Sequence, residues 1–167
     1  MACKHMGKPE LFDYLTDNGI AYINIAHPPA MTVQEMISHI QGGVDGAFIK
    51  NLFLRDKKKR LYLLSAAHDR DINLTAIGAT VGAKDLRFAD ESVLLERLGV
   101  RPGCVTAFAL VNDREQHAVT FLVDTKLVDG SHDYVNFHPL VNTDTTNISS
   151  KDFNKFLYLV KAKVITF

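Results

Sequence analysis

The chain has 167 residues, 47% apolar and 23% charged, an ordinary globular composition and length enough for one domain that buries roughly 70% of its unfolded surface. Nineteen Lys and Arg balance nineteen Asp and Glu, so no global field draws the molecule to nucleic acid or acidic membrane, and any nucleic-acid contact must be local. Two cysteines, Cys3 and Cys104, make neither a disulfide framework nor a zinc spacing, and no apolar run approaches the roughly 18–20 residues that span a bilayer. The amino terminus lacks a signal-peptide core, so a cytoplasmic protein of one domain over residues 1–167 is expected, with the polar residues 1–8 frayed.

Residues 10–17 carry Leu11, Phe12 and Leu15 at helical spacing, and Asn18-Gly19 is a stop signal. Residues 20–25 alternate as a short strand that ends at His27-Pro28-Pro29. Thr32, with Glu35 three residues on, has the capping-box spacing for a helix through Val33, Met36, Ile37 and Ile40, which breaks at Gln41-Gly42-Gly43. Residues 46–54 are apolar on both alternating faces, the pattern of a strand covered on both sides, with Lys50 and Asn51 in the middle. A polar turn at 56–60 and an apolar run at 61–67 complete a hairpin.

Asp71 is expected to cap a helix closing at Gly78 or Gly82, and Leu86-Arg87-Phe88 to be a brief extended piece. Asp90 opens an amphipathic helix that Gly99 stops. After the turn Arg101-Pro102-Gly103, residues 105–111 and 118–123 read as the two strands of a second hairpin. Residues 134–137 form another strand, broken at His138-Pro139, and 143–147 are a β-branched polar stretch. Ser150 caps a last helix with Phe153, Phe156, Leu157 and Val160 inward, and Val164-Ile165 close an edge. The expected class is α+β: a mixed, largely antiparallel sheet curled toward a barrel-like shell and flanked by helices.

The seven scattered histidines offer no metal-ligand spacing, Cys104 has no basic partner beyond Arg101, and there is no serine elbow. Three polar intrusions remain. Lys50-Asn51 lies in an oily strand, Gly103 opens an apolar run where backbone amides are available to an oxygen, and His138 stands between Phe137 and Pro139. Each also has a structural reading: a snorkelling lysine, a turn glycine, a satisfied core histidine.

These segments, Lys50-Asn51-Leu52-Phe53-Leu54, then residues 101–110 from Arg101-Pro102-Gly103-Cys104, then Phe137-His138-Pro139-Leu140-Val141-Asn142-Thr143, resemble the YbaK/ProX aminoacyl-tRNA editing domains. His27-Pro28-Pro29 and Thr32-Val33-Gln34-Glu35 precede them in the same order, and the likeness spans residues 8–163. The branch most similar is the free-standing prolyl-tRNA deacylases. The resemblance implies a barrel-like mixed sheet and hydrolysis of the ester on mischarged tRNA, typically alanine on proline tRNA. It implies no cofactor and no metal, with the 3′ acceptor end of tRNA as partner and prolyl-tRNA synthetase as a further one. Carried onto this chain, it makes Lys50, Gly103 and His138 the catalytic candidates, and Asn51, His27, Pro28, Met31 and Cys104 the substrate-binding ones.

Such chemistry suits these residue types, because an activated ester needs positioning and oxyanion stabilisation more than a strong nucleophile. One departure stands out: Ala107 replaces the proline four residues after the glycine, which opens deacylation of a cysteinyl or seryl tRNA as an alternative. A non-catalytic tRNA- or synthetase-binding module is the other. The run Lys57-Lys58-Lys59-Arg60 reads either as a contact for acceptor-stem phosphates or as a solvated, edge-protecting turn.

Overall fold

The computed structural model describes residues 4–40 and 43–167. The first half holds α1 (Lys8–Asp17), β1 (Tyr22–Ala26), α2 (Val33–His39), the hairpin β2 (Ala47–Arg55) and β3 (Leu61–Ala67), then α3 (Leu74–Val81). The second holds β4 (Arg87–Phe88), α4 (Glu91–Leu98), β5 (Val119–Val123), β6 (Tyr134–Phe137), β7 (Asp144–Ser149), α5 (Ser150–Leu159) and β8 (Lys163–Thr166), with 3-10 helices at Ala107–Asn112 and Thr125–Leu127.

One sheet runs β1-β7-β6-β2-β3-β5-β8, with β4 beside β2. It is mixed. The β1–β7, β6–β7, β2–β3 and β2–β4 pairs are antiparallel, whereas β2–β6, β3–β5 and β5–β8 are parallel. Strands β2 and β3 are covered on both faces because their side chains alternate between two apolar clusters. Ile49, Phe53 and Leu63 enter the main core with Phe108, Phe121, Phe137, Phe153 and Phe156. Leu54, Tyr62, Leu64 and Ala66 enter a second cluster under α3, with Ile77 and Ala83. A third, of Ala30, Met36 and Ile40, seats α2 against Phe48. Strand β2 therefore touches all three.

Edge-on aromatic pairs lock α5 in place, Phe121 with Phe153 at 6.3 Å to β5 and Phe108 with Phe156 at 5.3 Å to the 3-10 helix Ala107–Asn112. The close approach of β2 to β6 depends on Gly46. A Cβ there would lie 2.2 Å from the Tyr134 carbonyl oxygen.

Three expectations need correction. Residues 105–111 are no strand: Ala107 to Val111 are buried on every side in a 3-10 helix, and Thr106 Oγ1 accepts from the Phe108 amide at its start. An apolar run without alternation does not distinguish a buried strand from a buried helical turn. The hairpin expected of residues 105–111 and 118–123 is therefore absent, and β5 pairs in parallel with β3 and β8 instead. The caps of α3 and α5 are Asn73 and Ser149, not Asp71 and Ser150. The segment expected to fray is anchored where described. Met6 exchanges hydrogen bonds with the Asn112 carboxamide at 2.7 and 3.2 Å, and Lys8 opens α1. Met1 to Cys3, and the expected helix break at Gln41-Gly42, lie outside the described residues.

Candidate functional site

Pro28-Pro29 ends β1, since proline has no amide to continue a ladder, and the chain turns beside the loop that joins β6 to β7. The two loops are laced together by His27 N to Thr143 O at 2.8 Å and Ala30 N to Asn142 O at 3.0 Å. Leu140 anchors the second loop with a buried side chain, although its φ of 68° is left-handed.

His138 places Nδ1 2.9 Å from the Asp144 carbonyl oxygen. A carbonyl only accepts, so Nδ1 carries the proton and Nε2 is left with its lone pair. Burial pushes this imidazole below its ordinary value; the Asp144 carbonyl opposes the shift and neighbouring His27 adds to it. His27 is held similarly, with Nδ1 2.8 Å from Pro28 O and Nε2 2.9 Å from the Thr145 hydroxyl. Its ring centroid stands 6.3 Å from that of His138 and 6.0 Å from that of His39.

Gly103 reaches the same loops. Its φ is +84°, and a Cβ there would lie 2.8 Å from Met31 Cε and 3.9 Å from Asn142 Nδ2. Asn142 Nδ2 in turn lies 3.3 Å from Met31 Sδ. Cys104 closes the turn through its amide to Arg101 O at 3.0 Å. Burial pushes its thiol up, against smaller opposing effects of the Asn142 backbone and Arg101, so it is a neutral thiol and a poor nucleophile. Beneath the loops, Asp144 accepts from Asn24 at 2.6 Å, Thr143 at 2.9 Å and Lys8 at 3.1 Å. Burial raises this carboxyl, and those donors outweigh it and hold it below the usual range.

Lys50 and Asn51 stand on β2, whose parallel pairing with β6 runs through Ala47–Val135 and Phe48–Asn136, two residues before Lys50 and His138. Lys50 shares the β2 face of Phe48 and Leu52, and its ammonium donates to the main-chain carbonyl of Arg70. Arg70 is itself clamped: its guanidinium meets Asp124 at 2.5 Å and Phe167 O at 3.1 Å, and lies 4.5 Å from the centroid of the Phe167 ring. Asn51 shares the opposite face, with Ile49 and Phe53, and its Oδ1 accepts from Ser65 at 2.6 Å. Among the described residues, no hydrogen bond or ring contact joins Lys50 or Asn51 to His27, Met31, Gly103, Cys104 or His138.

A cavity of about 1050 Å³ opens beside the Arg70 clamp, lined by Phe48, His68, Asp124, Lys126 and His132 among others, and by none of the eight residues named from sequence. Among the described residues, no three His, Cys, Asp or Glu side chains are grouped to hold a metal. Sequence reasoning missed Asp144, Asn142, Arg70 and Asp124. Asn142 lay within the recognised Phe-His-Pro segment and was the one within reach.

The profile of the aminoacyl-tRNA editing domain matches residues 27–156. The chain belongs to that family, as a YbaK/ProX-type member. It is 41% identical over 150 residues to the prolyl-tRNA synthetase associated domain-containing protein 1 of Danio rerio, covering 90% of this chain and 80% of that one. It is 38% identical over 149 residues to the prolyl-tRNA editing protein ProX of Acetoanaerobium sticklandii, covering 89% and 87%. Its fold matches that of the hypothetical protein APE2540 with a TM-score of 0.70 at 20% identity, over 94% and 96% of the two chains. A candidate trans-editing enzyme for prolyl tRNA synthetase matches with a TM-score of 0.67 at 18% identity, over 98% of each. No helix among the described residues of this editing domain is long and apolar enough to cross a membrane.

Proposed function

We propose that this editing domain is a trans-acting, cytoplasmic hydrolase that cleaves the ester of mischarged tRNA, with alanine on proline tRNA as its substrate. The observation that carries the reading is the meeting of His27, Met31 and His138 on two hydrogen-bonded loops, with Gly103 reaching them from the turn after α4. Water adds to the ester carbonyl, the carbon–oxygen bond to the ribose breaks, and the released ribose oxygen takes up a proton. Backbone amides at the Gly103 turn receive the developing oxyanion. The lone pair on His138 Nε2 faces the pocket as an acceptor that shapes it. Lys50 exchanges its Arg70 carbonyl for a phosphate or carbonyl oxygen of the acylated 3′ end, a swap of one acceptor for another. Asn51, whose oxygen is engaged by Ser65, offers its NH₂ to the terminal adenosine.

Pocket size sets selectivity, because a single methylene discriminates by only about 1–3 kcal/mol and proline must be refused by steric exclusion. His27, Pro28, Met31 and Cys104 form the wall in this reading. Ala107 favours a second substrate class. It is fully buried at the first position of its 3-10 helix, where related domains carry the bulkier proline. Cysteine or serine esters are the alternatives it admits. The names of the vertebrate relatives support prolyl-tRNA synthetase as a partner.

Deacylation of a panel of mischarged tRNAs tests the proposal. Release of alanine from proline tRNA is the expected result. Tight tRNA binding with no release from any species would make the chain a non-catalytic module instead.

A further inference from the structure

The densest run of cations on this neutral chain is at the turn between β2 and β3. Residues 55–60 at the tip of the β2–β3 hairpin and 84–87 before β4 hold Arg55, Lys57, Lys58, Lys59, Arg60, Lys84 and Arg87, against only Asp56 and Asp85. The tip is built rather than merely solvated. Asp56, 1% exposed, accepts from the Lys58 and Arg60 amides at 2.9 Å each and from Arg60 Nε at 2.7 Å. Lys57 N to Lys84 O at 2.9 Å and Arg60 Nη2 to Gly82 O at 2.8 Å tie the tip to the second segment.

Those bonds hold like charges together. Arg55 stands directly opposite Arg87 in the β2–β4 register, a like-charge pairing that costs stability and that the exposed Asp85, 3.4 Å from Arg87, offsets on one side only. Arg55 Nε is buried and has no hydrogen-bond partner among the described residues. Among those residues, no carboxylate pairs with Lys57, Lys58, Lys59 or Lys84. The hollow between the two segments, about 160 Å³, is lined by Asp56, Lys57, Lys58, Arg60, Gly82 and Lys84. It lies below the roughly 300–1,000 Å³ of small-molecule pockets, so it fits one anionic group of a larger partner.

We propose that this cationic face docks the phosphate backbone of the tRNA acceptor stem while the unpaired 3′ end runs along β2 toward Lys50. The inference rests on the deacylase reading above and adds where the duplex sits. Five strand steps carry β2 from Lys50 to Arg55, about 17 Å at the rise of a β-strand, and the turn residues Asp56 and Lys57 lie beyond, which leaves room for a single-stranded overhang between ester and stem. Phe88, 66% exposed and next to Arg87, supplies a ring on which the end of the stem stacks.

The test is binding of uncharged proline tRNA across a salt series, by wild type and by a K57Q/K58Q/K84Q variant. These side chains are exposed and the substitutions leave the Asp56–Arg60 pair intact. The expected result is weaker binding at low salt, with a log-affinity against log-salt slope shallower by about 2–3, since each lost phosphate contact removes up to about 0.9. A K57R/K58R/K84R variant restores both. Unchanged affinity and slope in the Gln variant overturn the proposal. A short aminoacylated 3′ fragment without the stem separates this from the deacylase reading. Equal hydrolysis by wild type and variant is expected, and a loss on the fragment as large as on whole tRNA overturns the docking assignment. If wild type hydrolyses nothing, the deacylase reading fails, while the salt slope still decides the surface.

Discussion

Nδ1 of His138 and the main-chain oxygen of Asp144 lie 2.9 Å apart, and this contact decides which ring nitrogen keeps its lone pair. Burial lowers the folded-state value of the imidazole, while the unfolded chain carries an ordinary one near 6.5. Between those two values the unfolded state binds more protons. The stabilisation is therefore complete above about pH 6.5 and is lost as pH falls through the folded value. Urea denaturation of wild type and His138→Gln across that range checks it: the wild-type acid loss should be steeper. Deacylation should keep its neutral-pH rate to lower pH than an exposed histidine allows.

Lys50→Ala should lower deacylation by at least about 100-fold, the order lost with one preorganised oxyanion donor. Its stability should move by less than about 1 kcal/mol, because the Arg70 carbonyl it leaves is part-buried and near the surface. Single-turnover rates and thermal melts measure both. Unchanged turnover would remove Lys50 from the mechanism.

Gly103→Ala should cost about 1–2 kcal/mol, because a φ of +84° strains any residue with a Cβ. Contact with Met31 is the smaller part, since a flexible thioether end moves aside. A double-mutant cycle with Met31→Ala should thus recover only a minor share of the loss. Full recovery would show that packing, not backbone strain, sets the requirement for glycine.

Asp124→Ala should destabilise by about 1–3 kcal/mol, less than the roughly 3–5 of a fully buried pair, because Arg70 keeps part of its surface in water. It should also lower activity through Lys50, whose acceptor sits on the residue that Asp124 clamps. Asp124→Asn, which keeps a hydrogen bond to Arg70, should recover part of both.

The sheet's spine was legible because alternation is local. Residues 46–54 read as a strand covered on both faces and 61–67 as its hairpin partner, and the side chains of both divide between two clusters. The α4 stop at Gly99 and the Thr32 cap were equally plain, being single-residue requirements. Residues 105–111 were misread because an all-apolar run has no period, and β5 lost its supposed hairpin partner with them. In the site, the residue types at 103 and 138 were visible, and their meeting through Asn142 and Asp144 was not. That meeting depends on β7 pairing with its chain neighbour β6 and also with β1, more than a hundred residues earlier in the chain. The opposite facing of Lys50 and Asn51 follows from strand period alone.

That opposition also limits how the chain can vary in length. Deleting one residue between Ala47 and Lys50 would rotate the ammonium into the phenylalanine layer and turn Ile49 out of it. The four positions after the Gly46 contact with Tyr134 thus act as a fixed-length ruler, in which substitutions are absorbed and single insertions or deletions are not.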